Sequence, residues 1–111
     1  MDIPQITSKD AANIGEMGQT YLTTGKHVAL RRWEEPAGDF GEPRSREYEI
    51  VGYVLSGAFE LDLDGGTVQI YSGDSWLIPA GATHRYRIIE SLVAIEATSP
   101  PARFNDRDEP A

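Results

Sequence analysis

From residue 48 onward, hydrophobic and polar positions alternate in short bursts separated by turn residues. Residues 58–64 put Phe59, Leu61 and Leu63 on one face and Glu60, Asp62 and Asp64 on the other. That period of two belongs to a strand with one buried face. Residues 48–55 are rich in β-branched and aromatic side chains, which favour strands. Further short strands are predicted at 67–71, 76–79, 84–89 and 92–98. Gly65-Gly66, Ser72-Gly73-Asp74 and Ala80-Gly81 mark the turns between them. An earlier strand is predicted at 26–33, followed by a loop at 34–43 that holds two prolines and two glycines. Many short strands joined by Gly and Pro turns imply an all-β barrel or sandwich. Residues 1–25 show no strong periodicity, although Ser8 could cap a helical turn over 8–13. The stretch 99–111, with three prolines and several charges, is expected to be extended.

A length of 111 residues argues for one domain, with a barrel core at about 26–98, an N-terminal arm at 1–25 and a C-terminal tail at 99–111. The absence of cysteine removes disulfides, thiolate metal sites and cysteine nucleophiles, and fits a cytoplasmic location. No apolar run reaches the roughly 18 residues of a membrane span, and residues 1–10 lack the pattern of a signal peptide. A formal charge of −8 repels phosphate backbones, so neither nucleic acid nor an anionic membrane is expected as a partner.

The stretch 73–84 carries Gly73, Pro79, Gly81 and His84 at fixed spacing. It resembles the second conserved motif of the cupin superfamily, with Ile88 where that motif closes on asparagine. The first cupin motif fits less well. Gly38 and Gly57 match its two glycines, but Arg44, Arg46 and Ile50 stand where it has two histidines and a glutamate. The resemblance covers about 28–98. It implies a cupin-type jelly-roll barrel of antiparallel strands, a site inside the barrel and, in many relatives, a homodimer.

Positions 44, 46 and 50 share parity and therefore one face of a strand or its extended lead-in. By resemblance that face is the barrel interior. Arginine has no acceptor and stays protonated, and Ile50 offers no lone pair, so only His84 remains of the usual ligand set. Glu47 and Glu49 are the nearest carboxylates, but their parity points them away; a bulge could swing one inward to join His84 around a divalent transition metal. The expectation is therefore no cofactor, with such a metal as the alternative. Arg44 and Arg46 are either rim charges paired with Glu42, Glu47 or Glu49, or inward forks beside Tyr48, His84 and Tyr86 that suit a carboxylate or phosphate. Arg85 and Arg87, of opposite parity to His84, should point outward. His27 reads as a strand-edge residue, and Trp33 and Trp76 as packing.

Val51, Tyr53 and Leu55 form an apolar stripe on the other face of the 48–55 strand, which calls for cover by the N-terminal segment or a second subunit. Two functions stay open at this point. One is a metal-poor cupin that binds a small anionic molecule. The other is an enzyme: a metal-dependent isomerase, lyase or dioxygenase, or a metal-free catalyst using His84 and Tyr86. No Ser-His-Asp or Cys-His arrangement and no phosphate-cradling loop is legible.

Overall fold

The computed structural model describes residues 4–9, 13–14, 19–63 and 65–102. Among them there are seven strands and no helix: β1 (Asn13–Ile14), β2 (Gln19–Thr24), β3 (Ala29–Glu35), β4 (Glu49–Leu63), β5 (Gly66–Tyr71), β6 (Ser75–Ile78) and β7 (His84–Ser99). All pairings are antiparallel, in the order β1-β2-β3-β7-β4-β5, with β6 also on β4.

The predicted strands at 48–55 and 58–64 are one bent strand, β4, and those at 84–89 and 92–98 are one bent strand, β7. The bend comes from register shifts between Val54 and Phe59. Gly57 sits there at φ +90°, and a Cβ on it would lie 2.1 Å from the Ser91 carbonyl oxygen. Only glycine suits that backbone and that approach. The bend divides the fold into two halves. In one, the start of β4 runs between β6 and the end of β7. In the other, the end of β4 runs between β5 and the start of β7.

The bulge also flips parity along β4. Ile50 and Val54 are buried before it, Phe59 and Leu61 after it. Opposite them, β7 buries Ile88, Leu92 and Ala94. Trp33 stands edge-on to Phe59 at 5.2 Å, to Tyr86 at 4.7 Å and to Trp76 at 6.3 Å, so four aromatic rings tie the two halves together. On the outside, Arg85 pairs with Asp62 at 2.9 Å and Arg87 with Glu60 at 2.8 Å, as their parity predicted.

The first strand expected at 26–33 begins at Ala29 and runs on to Glu35, while His27 lies exposed in the preceding turn. Two strands that periodicity did not reveal, β1 and β2, precede it in the segment read as an arm. The helical turn considered at 8–13 falls partly outside the described residues; Asn13 belongs to β1. Of the tail, 99–102 is described, and Ala102 is buried with its amide donating to Thr98 Oγ1 at 3.0 Å.

Candidate functional site

A cavity of about 350 Å³ opens between the two halves. Its walls follow from strand register. Tyr21, Arg31, Glu96, Gly52 and Trp76 form one row across β2, β3, β7, β4 and β6. Arg31, Glu96 and Trp76 turn inward from that row to line the cavity. Gly52 is the gap over which the Trp76 indole lies: a Cβ there would meet the ring at 2.2 Å.

Arg44, Arg46, Tyr48, His84 and Tyr86, the residues singled out from the sequence, all line this cavity. The 36–44 loop brings Arg44 there. It runs along the edge of β7, with the Gly38 amide donating to Ile88 O at 3.1 Å and the Gly41 amide to Tyr86 O at 3.3 Å. Arg44 and His84 then exchange both backbone hydrogen bonds at 2.7 Å. Outside the loop, Phe40 packs under Arg85 and Arg87, whose guanidinium carbons lie 4.4 and 5.3 Å from its ring centre. Arg46 is fixed through its carbonyl, which accepts from the Gly81 amide at 2.7 Å. Arg44 is exposed, Arg46 half-buried and Ile50 buried, so the lining deepens along this even-numbered face.

Four polar lining residues were not anticipated. Arg31 and Glu96 form a buried ion pair, Nε to Oε1 at 2.8 Å, and Arg31 Nη1 donates to the Tyr48 hydroxyl at 3.3 Å. The Tyr48 hydroxyl is thereby drawn toward the pair. Glu35 Oε1 accepts from Tyr86 Oη at 2.8 Å and from Trp33 Nε1 at 3.1 Å. Gln19 completes the wall from β2, its amide donating to the Tyr21 hydroxyl at 3.1 Å. Burial, then the hydrogen bond to Glu35, pushes the Tyr86 phenol well above its ordinary range. Trp33 and Trp76, read as packing, are both core residues and walls of the cavity.

His84 Nδ1 lies 3.1 Å from the Ala82 carbonyl oxygen. A carbonyl only accepts, so Nδ1 carries the ring proton, and in the neutral ring Nε2 is an acceptor. That tautomer suits a metal ligand, but the rest of the donor set does not fit one. Among the described residues no three His, Cys, Asp or Glu side chains come together to hold a metal ion. Glu47 and Glu49 are exposed and do not line the cavity. Among the described lining residues, three arginines (Arg31, Arg44 and Arg46) stand beside two glutamates (Glu35 and Glu96), in a chain whose formal charge is −8.

A family model described as a cupin domain matches residues 31–97. No curated protein matches the chain significantly. Among solved structures, KdgF from Halomonas sp. is similar with a TM-score of 0.72 and 24% identity, over 86% of this chain and 94% of that one. An RmlC-like cupin from Shewanella frigidimarina is similar with a TM-score of 0.77 and 20% identity, over 93% and 96%. The EutQ protein of Clostridium difficile is similar with a TM-score of 0.68 and 17% identity, over 94% and 82%. At these identities the likeness speaks for the fold alone.

Proposed function

The chain belongs to the cupin superfamily, and from that premise we propose that its interior binds a small anionic molecule through Arg44 and Arg46, in place of a metal ion. The observation that carries the reading is the charge of the cavity lining. Among the described lining residues three arginines outnumber two glutamates, inside a protein that is acidic as a whole. Arg31 pairs with Glu96 in the interior, whereas Arg44 and Arg46 stand nearer the mouth of the cavity. A planar guanidinium binds a carboxylate or phosphate by two parallel hydrogen bonds, a geometry a lysine cannot supply. Behind the arginines, Trp33, Phe59 and Trp76 offer apolar wall to the body of the ligand.

A thermal-shift screen of small carboxylates and sugar phosphates tests this. A ligand at about a hundred times its dissociation constant should stabilise the fold by roughly 2–3 kcal/mol. Arg44→Ala and Arg46→Ala should each abolish the shift. Hits that survive both substitutions overturn the assignment.

A further inference from the structure

We infer that the anion this cavity takes is a carboxylate that also carries hydroxyl groups, because the wall behind the arginines presents hydrogen-bond acceptors. This rests on the anion-binding reading above and narrows it to a ligand class.

Two acceptors on β7, His84 and Tyr86, face the cavity in addition to the Glu35 and Glu96 carboxylates. His84 commits its Nδ1 proton to the Ala82 carbonyl at 3.1 Å, so the neutral ring offers Nε2 as a lone pair, and among the described residues nothing donates to it. Tyr86 commits its hydroxyl proton to Glu35 Oε1 at 2.8 Å, so its oxygen keeps acceptor capacity toward the cavity. The second donor to that same carboxylate oxygen, Trp33 Nε1 at 3.1 Å, anchors Glu35 so that it holds the phenol proton in place. Burial and Glu35 both favour the protonated phenol, so Tyr86 stays a neutral acceptor. His84 and Tyr86 share parity on β7 and stand side by side on one wall.

A simple fatty acid would satisfy the arginines and press methylene groups against both acceptors. Each would then lose water without gaining a donor. A ligand hydroxyl supplies that donor. An ammonium group is the other small donor, but Arg44 lies close enough for its charge to bear on the Tyr86 phenol, and among the described lining residues arginines outnumber glutamates. Beside Arg44 a hydroxyl is the favoured donor, and the test below weighs it against an ammonium drawn by Glu35 and Glu96.

The test uses the full chain and three six-carbon acids: hexanoate, gluconate and 6-aminohexanoate, each titrated by calorimetry at one pH and salt concentration. Gluconate should bind about tenfold more tightly than hexanoate or better, with 6-aminohexanoate the weakest. In Tyr86→Phe, which keeps the ring against Trp33, the gluconate-to-hexanoate ratio should fall toward one. In Arg44→Ala both acids should weaken together. If hexanoate binds as well as gluconate, and both are lost in Arg44→Ala, the anion site stands and the hydroxyl inference falls. If 6-aminohexanoate binds most tightly, the acceptors serve an ammonium and the inference falls. If none of the three binds, the anion-binding reading falls and takes the inference with it. The acid series on the unmodified protein decides the matter even if Tyr86→Phe fails to fold.

Discussion

Replacing Gly52 by alanine should open the cavity wall from beneath. A Cβ at this position would lie 2.2 Å from Trp76 Cζ2, 2.3 Å from Cη2 and 2.7 Å from Cε2. The obstacle is the face of a rigid ring, so the indole must leave. It would lose its edge contacts with Phe59 at 5.0 Å and Trp33 at 6.3 Å, each worth about 0.5–1.5 kcal/mol. Exposing about half of an indole that buries some 150–250 Å² costs about 2–3 kcal/mol more. Reduced freedom of the unfolded chain returns about 0.4–1 kcal/mol. The expected net loss is about 3–5 kcal/mol, a large part of the stability of a small domain. Urea denaturation measures it. Because the chain has only two tryptophans, a Trp33→Phe background leaves Trp76 as the sole reporter, and its emission should shift to the red. In a Trp76→Leu background the same glycine substitution should cost less than about 1 kcal/mol, since nothing rigid remains to be displaced. A loss below about 1 kcal/mol in the parent protein, with unshifted emission, would refute the reasoning.

Other expectations follow from the same walls. Arg31→Met should destabilise by about 3–5 kcal/mol because it strands Glu96 in the interior, and Arg31→Met with Glu96→Leu should recover most of that; denaturation curves of the two variants decide it. The raised phenol of Tyr86 contributes stability that is fully present below pH about 10 and is lost as pH rises through its higher folded value. Thermal melts from pH 9 to 12 should therefore fall more gently in Tyr86→Phe than in the parent, and parallel curves would contradict this. We propose that the outer face of β6, β4, β7 and β3 is a homodimer interface. Leu77, Val51, Ala97 and Leu30 form one row there, with Tyr53 and Leu55 beside it, and Val51, Tyr53, Leu55 and Leu77 are each about half exposed. Sedimentation should give a dimer at micromolar concentration that Tyr53→Glu dissociates, and a monomeric parent protein would count against it.

The all-β class was legible because residues 58–63 alternate, because Gly and Pro turns separate the short strands, and because Gly73, Pro79, Gly81 and His84 sit at a recognisable spacing. Parity grouped Arg44 and Arg46 with Ile50 on one face, and only the motif resemblance marked that face as the interior; all three line the cavity, with Tyr48. β2 was missed because Gln19–Thr24 is mostly polar or β-branched with no alternation: its inner face meets a polar cavity wall, not an oily core. Arg31 and Glu96 were missed as partners because they lie 65 residues apart and only strand register pairs them. A signal was nevertheless present. Glu96 shares parity with Leu92, Ala94 and Thr98, and Arg31 with Ala29 and Trp33, all of them buried. A charge on a core-facing position must find a counter-charge. Glu35 gave no such sign, because it falls where the sequence reads as the start of a loop.

The central claim is that guanidinium groups at the barrel mouth hold an anion in place of a metal. A crystal structure with the carboxylate that gives the largest thermal shift tests it most directly. Data collected above and below the absorption edges of manganese, iron, nickel and zinc would reveal any bound transition metal. The account predicts carboxylate oxygens at about 2.7–2.9 Å from guanidinium nitrogens of both Arg44 and Arg46, with no anomalous peak beside His84. A metal peak at His84 Nε2, or a carboxylate bound away from both arginines, would contradict it.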